Sequence, residues 1–461
     1  MGDAIRKRQV SPVELTEAYL QRLETIGPKL NAVVTVTRSL ALEQAKAAEK
    51  EIAAGKYRGP LHGIPYGAKD VFATRGVPTT WGAAPYRGRV LDFNATIVTK
   101  LSNAGAILLG KLALVELVGG LGYNGPDASF TGPARTPWNT EFWTGGSSSG
   151  PGASTAAGLV AFSVGSETGG SILGPSTYCG LSGLRPTYGR VSRYGAAALC
   201  WSLDKVGPMC RNADDCGIVL NAIAGYDKSD PTTSRRKFEY TAVPPRRKWK
   251  IGVVKGTYEH VQPEIKANFE KSVEVLSGFC DVSRDIEFPD YPYTPILWTI
   301  LGAEGTSAYR ELVDTGKMRE LQNQGDRIGG YVGYMISAVD YLQAMRVRKL
   351  ARQALDHFLK QYDAVIAPSA GAGSRRISQT FDRPAAPSSG GRSSAQQGPA
   401  LVPAGNIAGV PGLTIMNGFG QNNIPTGIQF LGPAWSEANL LAIADAYQRE
   451  TDWHKQRPRL T

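Results

Sequence analysis

Serines behind glycines, and a scarcity of histidine, set the chemistry open to this chain. Ser171 stands in GSETGGSILGPSTYCG, Gly165 to Gly180, directly after two glycines. The amides of Thr168, Gly169, Gly170 and Ser171 could turn inward together, because glycine puts no side chain in their way, and such a nest would hold a developing oxyanion. A serine so placed could attack a carbonyl. It could equally be the N-cap of a helix that follows a glycine turn, and the stretch by itself leaves both readings open.

Two further glycine clusters carry a possible chemistry. GAILLGKL, Gly105 to Leu112, has the outline of a P-loop, but Leu112 replaces the hydroxyl that would hold magnesium and apolar AILL fills the loop. It reads as a strand. GSSSG, Gly146 to Gly150, fits a nucleophile elbow centred on Ser148, which calls for an apolar strand before it and an acid and a histidine after it. NTEFWTG is a weak strand, and His260, His357 and His454 carry no flanking signal. The four histidines, His62 included, form no H-E-x-x-H, and Cys179, Cys200, Cys210, Cys216 and Cys280 form no C-x-x-C. Neither a metal site, a cofactor nor a disulfide framework is implied.

The elements that must position these residues are legible in outline. A composition of 42% hydrophobic and 20% charged residues over 461 positions suits a globular chain with a sizeable core. No apolar run approaches the roughly 20 residues of a membrane span, and MGDAIRKRQV lacks a signal peptide's apolar stretch. The expectation is a cytoplasmic protein that uses no membrane. The net charge of +11 is densest in PPRRKWK, Pro244 to Lys250, and SRRK, Ser234 to Lys237, which read as solvated loops, so nucleic acid is not expected as a partner.

Ser11, Pro12 and Glu14 form a capping box that opens a helix running to Gly27. A second helix is expected from Ser39 to Ala54, a third from Thr96 to Asn103, and others over Pro263 to Ser277 and Tyr341 to Tyr362. Strands are expected in GIPYGAKDVF, AILLG, TAAGLVAFSVGSE, KWKIGVVKG, YDAVIAPS, PGLTIM and TGIQFLGP. The alternation predicts an α/β fold, a large mixed β-sheet with helices on both faces. One domain is expected over residues 1–461, with a Gly/Ser/Pro-rich loop at 371–400 that could serve as a lid or binding loop.

GIPYGAKD, TGGSSSG and GSETGGSI occur in that order, followed by CGLSGLRPTYGRVSRYG. Together they resemble the amidase signature family, and the resemblance runs from SPVELTEAYLQRLETIGPKLNAVVTV to NIAGVPGLTIMNGFG and GIQFLGP. It implies hydrolysis of amide-type C–N bonds by a Ser, cis-Ser, Lys triad on a mixed sheet flanked by helices. By motif position the resemblance makes Ser171 the nucleophile, Ser147 the bridging serine and Lys69 the base, with the amides of Thr168, Gly169, Gly170 and Ser171 as the oxyanion hole.

Physical chemistry is consistent with those roles. A serine hydroxyl needs a base to take its proton, and a lysine serves only when neutral. Its pKa must fall from about 10.4 toward 7 to 8, which burial among Tyr66, Ala68, Val71 and Phe72 would do. Asp70 would oppose the shift unless it points away. A hydroxyl both donates and accepts, so Ser147 can pass a proton between nucleophile and base.

Departures from the common family pattern bear on the substrate. Ser149 and Pro151 alter the glycine-rich turn, Glu167 stands where an Asp is usual, and Leu173 where an Arg is usual. PTYGRVSRYG looks like the glutamine-hydrolysing subunit of tRNA-dependent amidotransferases, but SSAQQGPALVPAG lacks an acid to grip an amino group. SSSGPGA, GSET and WSLDKVGP are similar to a branch that includes aryl-amide and carbamate (urethane) hydrolases. The expected partner is therefore a small-molecule amide or carbamate, bound by a monomer or homodimer, with glutamine hydrolysis as the alternative. Tyr123, Trp143, Ser148 and Cys179 are candidate substrate contacts by their closeness to the motifs.

Overall fold

The computed structural model describes residues 1–241, 248–381 and 401–460. Its frame is an eleven-stranded sheet: β1 (Val33–Val36), β2 (Pro65–Lys69), β3 (Ile107–Leu112), β4 (Phe162–Glu167), β5 (Ser182–Arg185), β6 (Lys205–Cys210), β7 (Trp249–Val254), β8 (Cys280–Ile286), β9 (Ala364–Pro368), β10 (Gly412–Phe419) and β11 (Pro425–Leu431). The spatial order is β1-β3-β2-β4-β6-β5-β10-β11-β9-β7-β8. β3, β2 and β4 run parallel to one another, as do β9, β7 and β8, while β4 to β6 and β10 to its neighbours pair antiparallel. The expected mixed sheet is the one observed.

Side chains leave a strand on alternate faces, and β3 shows what each face meets. Ile107, Leu109 and Leu112 join Leu20, Leu23, Ala41 and Ala45 of the helices Pro12–Ile26 and Arg38–Ala53, together with Ala153 of the helix Ser149–Ala156. Leu108 points the other way, into the larger core that holds Tyr66, Phe162, Val164 and Val206. Apolar residues thus cover both faces of the sheet, which explains why β2, β3 and β4 read as continuous buried runs rather than alternating ones.

The helix starts follow the local signals. Ser11 Oγ accepts from the amides of Val13 and Glu14, and Glu14 accepts from the amide of Ser11, closing the capping box. The helices expected near residues 39, 96, 263 and 341 are Arg38–Ala53, Thr96–Asn103, Pro263–Phe279 and Ala338–Leu359. TAAGLVAFSVGSE is corrected: Thr155 and Ala156 end a helix, Gly158 turns the chain at φ +64, and the strand begins only at Phe162. NTEFWTG forms only isolated bridges, Arg135 to Trp143 and Phe142 to Arg376.

Of the basic run at 244–250 and the loop at 371–400, residues 244–247 and 382–400 lie outside the described residues. The described start of that loop is tied down: Trp143 N donates to Arg375 O at 2.9 Å and Ile377 N to Glu141 O at 2.9 Å. Among the described residues no helix is long and apolar enough to cross a membrane.

Candidate active site

In an open sheet, ligands meet the carboxyl ends of parallel strands. Lys69 is the last residue of β2 and has no exposed surface. Its Nζ donates to Ser147 Oγ at 2.8 Å, to Ser166 Oγ at 3.0 Å and to the Ser166 carbonyl at 3.4 Å. Tyr66, Ala68, Val71 and Phe72, its neighbours in sequence, are all buried. Burial brings the lysine down to about 7, against the opposing pull of Asp204 and Glu167. Asp70 does point away: it pairs with Lys111 Nζ at 2.8 Å and accepts from the Thr80 amide at 2.9 Å.

Ser147 follows a cis peptide bond from Gly146 and is 1% exposed. Gly146 is needed there because a Cβ would stand 2.6 Å from Val115 Cγ2 and 2.9 Å from the Trp143 ring. The Ser147 carbonyl accepts from Val115 N at 3.1 Å. The next residues begin the helix Ser149–Ala156, and Pro151 falls in its first turn, where an amide has no intrahelical acceptor to lose. The altered turn SSSGPG is thus compatible with a helix start.

Ser171 lies just past β4 and is half-buried. The helix Leu173–Tyr178 has Ile172 at its N-cap and no side-chain cap bond, so the N-cap reading of Ser171 falls. Among the described residues the Ser171 hydroxyl is unengaged, and the amides of Gly169, Gly170 and Ser171 donate to no acceptor. Gly170 has φ +127, a conformation glycine adopts without strain. Thr168 is held by its hydroxyl, which donates to Asp204 at 2.6 Å.

The departure at Glu167 is the strut of this segment. Its Oε2 accepts from the amides of Ile172 at 2.8 Å and Leu173 at 3.0 Å, and its Oε1 meets Arg185 Nη1 at 3.1 Å and Asn406 Nδ2 at 2.9 Å. Burial alone would raise this carboxyl, but Arg185, the Leu173 amide, Lys205 and Asn406 hold it below the usual range. Leu173, where the family usually has Arg, is buried.

The expected substrate contacts divide. Tyr123 and Trp143 come together with Phe381, ring centroids 5.1 to 6.3 Å apart. Tyr123 and Phe381 line a cavity of about 670 Å³ with Leu121, Trp298, Leu301 and Ile328. Trp143 borders Gly146, and a Cβ at Gly169 would stand 3.3 Å from Leu297. Ser148 and Cys179 are corrected. Ser148 has no exposed surface and gives its hydroxyl to the Ser166 carbonyl at 3.2 Å. Cys179 packs with Ala156 and Leu181, and burial pushes its thiol up to about 12.

Ser166 and Leu297 are the neighbours that motif reading missed, while Phe381 belongs to the loop at 371–400 expected as a lid or binding loop. Ser166 was within reach, since it sits inside GSETGGS at the end of a strand. Leu297 comes from a segment with no motif of its own.

The Amidase family model matches residues 14–441. The chain is 34% identical to a glutamyl-tRNA(Gln) amidotransferase subunit from Heliobacterium modesticaldum, covering 100% of this chain and 98% of that one. It superimposes on the native peptide amidase of Stenotrophomonas maltophilia with TM-score 0.83 at 27% identity, covering 99% and 97% of the two chains. A bacterial aryl acylamidase of the amidase signature family shares the fold, with TM-score 0.85 at 24% identity over 98% and 96%. A match that spans nearly the whole chain, on a sheet that ends in the Lys69 and Ser147 contact, makes this protein a member of the amidase signature family and an amidohydrolase of C–N bonds.

Proposed function

We propose that this amidohydrolase cleaves aryl or otherwise apolar amides, and carbamates (urethanes) of similar shape, through a serine acyl-enzyme. The observation that carries the reading is the 2.8 Å contact between Lys69 Nζ and Ser147 Oγ, with the Ser171 segment tied alongside by the Ser148 amide, which donates to the Ser171 carbonyl at 3.2 Å. In the proposed cycle Ser171 Oγ attacks the carbonyl carbon, its proton passes to Ser147, and the Ser147 proton passes to neutral Lys69. The amides of Thr168, Gly169, Gly170 and Ser171 receive the charge that builds on the carbonyl oxygen. Lys69 returns the proton through Ser147 to the leaving nitrogen, the C–N bond breaks, and water attacks the acyl-enzyme by the same relay.

The substrate class rests on the cavity lined by Tyr123 and Phe381, which we assign to the body of the substrate. Its aromatic and aliphatic lining and its volume of about 670 Å³ suit a ligand with an apolar body. A carbamate presents the same carbonyl to Ser171, so the proposal includes it. We propose that the enzyme acts on small molecules without a partner protein.

A second reading has its own support: the relative from Heliobacterium modesticaldum belongs to an amidotransferase, and full-length similarity to it favours glutamine hydrolysis within a complex. One panel separates the two. Aliphatic amides, anilides, carbamates and glutamine are assayed with Ser171→Ala as the blank. Turnover of anilides or carbamates but not glutamine is expected, lost in Ser171→Ala and largely kept in Ser148→Ala. Glutamine turnover alone would establish the second reading, and full activity in Ser171→Ala would remove Ser171 as the nucleophile.

A further inference from the structure

A second cavity, of about 200 Å³, reaches Ser166, a hydrogen-bond partner of the lysine, and shares no lining residue with the apolar pocket. Its lining includes Ser166, Val206, Ala198, Tyr194 and Trp201 together with the charged Arg193, Asp204, Lys205 and Asp230, and burial beside Arg185 brings Lys205, like Lys69, down to about 7. Strand pleating accounts for the first two: Ser166 and Val206 are register partners across β4 and β6, and opposite partners share a face. Tyr194 and Trp201 are 44% and 46% exposed, which places part of the lining in solvent. Ser166 is 9% exposed, whereas Lys69 and Ser148 are at 0% and Ser147 at 1%. Of the two hydroxyl partners of the amine, Ser166 is thus the more exposed, and its hydroxyl stands 3.0 Å from Lys69 Nζ.

We propose that this cavity is a solvent port for the base, in which water exchanges protons with Lys69 through the Ser166 hydroxyl while substrate fills the apolar pocket. The inference rests on the proposed role of Lys69. During turnover the proton taken from Ser171 returns to the leaving group, so the cycle itself needs no port. The resting charge of Lys69 does need one: a buried amine that binds substrate in its protonated form has to lose that proton before reaction. A hydroxyl both accepts and donates, so Ser166 can take a proton from the ammonium group as it gives its own to water. The number of protons is conserved at each exchange.

The port can be plugged reversibly from its exposed side. Ala198 lines the cavity and is exposed, while all five native cysteines are buried, so Ala198→Cys offers a single accessible thiol. The variant is treated with a bulky benzyl methanethiosulfonate, and dithiothreitol restores the free thiol in the same folded molecule. Enzyme held at pH 5.5 is then mixed with an anilide at pH 8 in a stopped-flow instrument. The unlabelled variant should reach its steady rate without delay. The plugged enzyme should show a lag that lengthens with substrate concentration, vanishes after pre-equilibration at pH 8, and disappears on reduction. Absence of a lag in the plugged enzyme would overturn the port, and so would complete inactivity after pre-equilibration at pH 8. If the unlabelled variant lacks an acid limb in its pH profile, the role of Lys69 itself fails, which is a separate result.

Discussion

Lys69 Nζ lies 2.8 Å from Ser147 Oγ in a site where the lysine has no exposed surface. A charged amine there could only donate to that hydroxyl; a neutral one offers a lone pair to the Ser147 proton. Burial, which brings the lysine to about 7, creates the neutral form near physiological pH. We expect kcat/KM to rise with pH through about 7, where the base loses its proton, and then to level. Lys69→Ala should lower kcat by roughly 10²- to 10⁴-fold, the ordinary contribution of a positioned base. A full rate in Lys69→Ala, measured on any substrate that the parent turns over, would remove the lysine from the mechanism.

The same burial should be visible in stability. An unfolded lysine keeps its proton to about pH 10.4, whereas the native one releases it near 7. Between those values the unfolded chain binds more protons, so stability rises with pH across the window and the cost of burial is largest below it. Lys69→Met removes the charge but leaves Ser147 and Ser166 without their partner, at a cost of about 1 kcal/mol or more each. The pH dependence is therefore the cleaner readout. Urea unfolding should show the advantage of Lys69→Met over the parent shrinking by a few kcal/mol (about 1.4 per pH unit of difference) from pH 6.5 to 10. A difference that stays constant over that range contradicts the assignment.

Ser166 supplies two acceptors to Lys69, its hydroxyl at 3.0 Å and its carbonyl at 3.4 Å. With both amine protons directed there, the lone pair is left for Ser147, so Ser166 acts as a positioning residue. Its hydroxyl also stabilises the ammonium form, so Ser166→Ala should move the acid limb of kcat/KM to lower pH while lowering kcat about tenfold or more. Ser166→Thr, which keeps a hydroxyl, should restore most of both. A loss of rate with the pH limb unmoved would mean a structural role alone.

How much of this could be read from the chain differs by element. The capping box at Ser11 and Glu14 is local chemistry, and the helix began where it required. β2 and β3 announce themselves as short apolar runs bounded by glycine, because parallel strands buried on both faces need nothing else. TAAGLVAFSVGSE misled because its alanines suit a buried helix as well as a strand, and the boundary depends on how Ser149–Ala156 packs. In the site, ordered motifs and not any property of the three residues point to Lys69, Ser147 and Ser171. Ser148 and Cys179 lay beside those motifs, yet sequence adjacency says nothing of direction: one hydroxyl turns to a carbonyl and one thiol into the core. Arg185 and Asn406 meet Glu167 across separations of 18 and 239 residues, which no local pattern records.

That network gives Glu167 a testable weight. Its carboxylate joins Arg185, Asn406 and the two amides that follow Ser171, all buried. Glu167→Gln would leave the Arg185 charge without its partner in the interior, a loss of about 3–5 kcal/mol by analogy with broken buried pairs. Thermal unfolding should register it, and kcat should fall with it because the amides of Gly169 to Ser171 lose their anchor. Glu167→Asp keeps the charge on a shorter arm and should recover part of the stability. Parent-like unfolding in Glu167→Gln would show that the pair contributes little.

The apolar cavity makes a prediction about selectivity. Ile328 lines it and is 58% exposed, so a larger side chain can be accommodated there without repacking the core. Ile328→Trp should narrow the space open to a bulky anilide while leaving a short aliphatic amide room at Ser171. The ratio of kcat/KM for the anilide over acetamide should fall by roughly 10-fold or more, the scale on which apolar pockets discriminate size. The loss should appear mainly in KM, because the contact is made equally before and during reaction. An unchanged ratio would mean that the substrate body lies elsewhere and that the cavity beside Tyr123 and Phe381 is not its pocket.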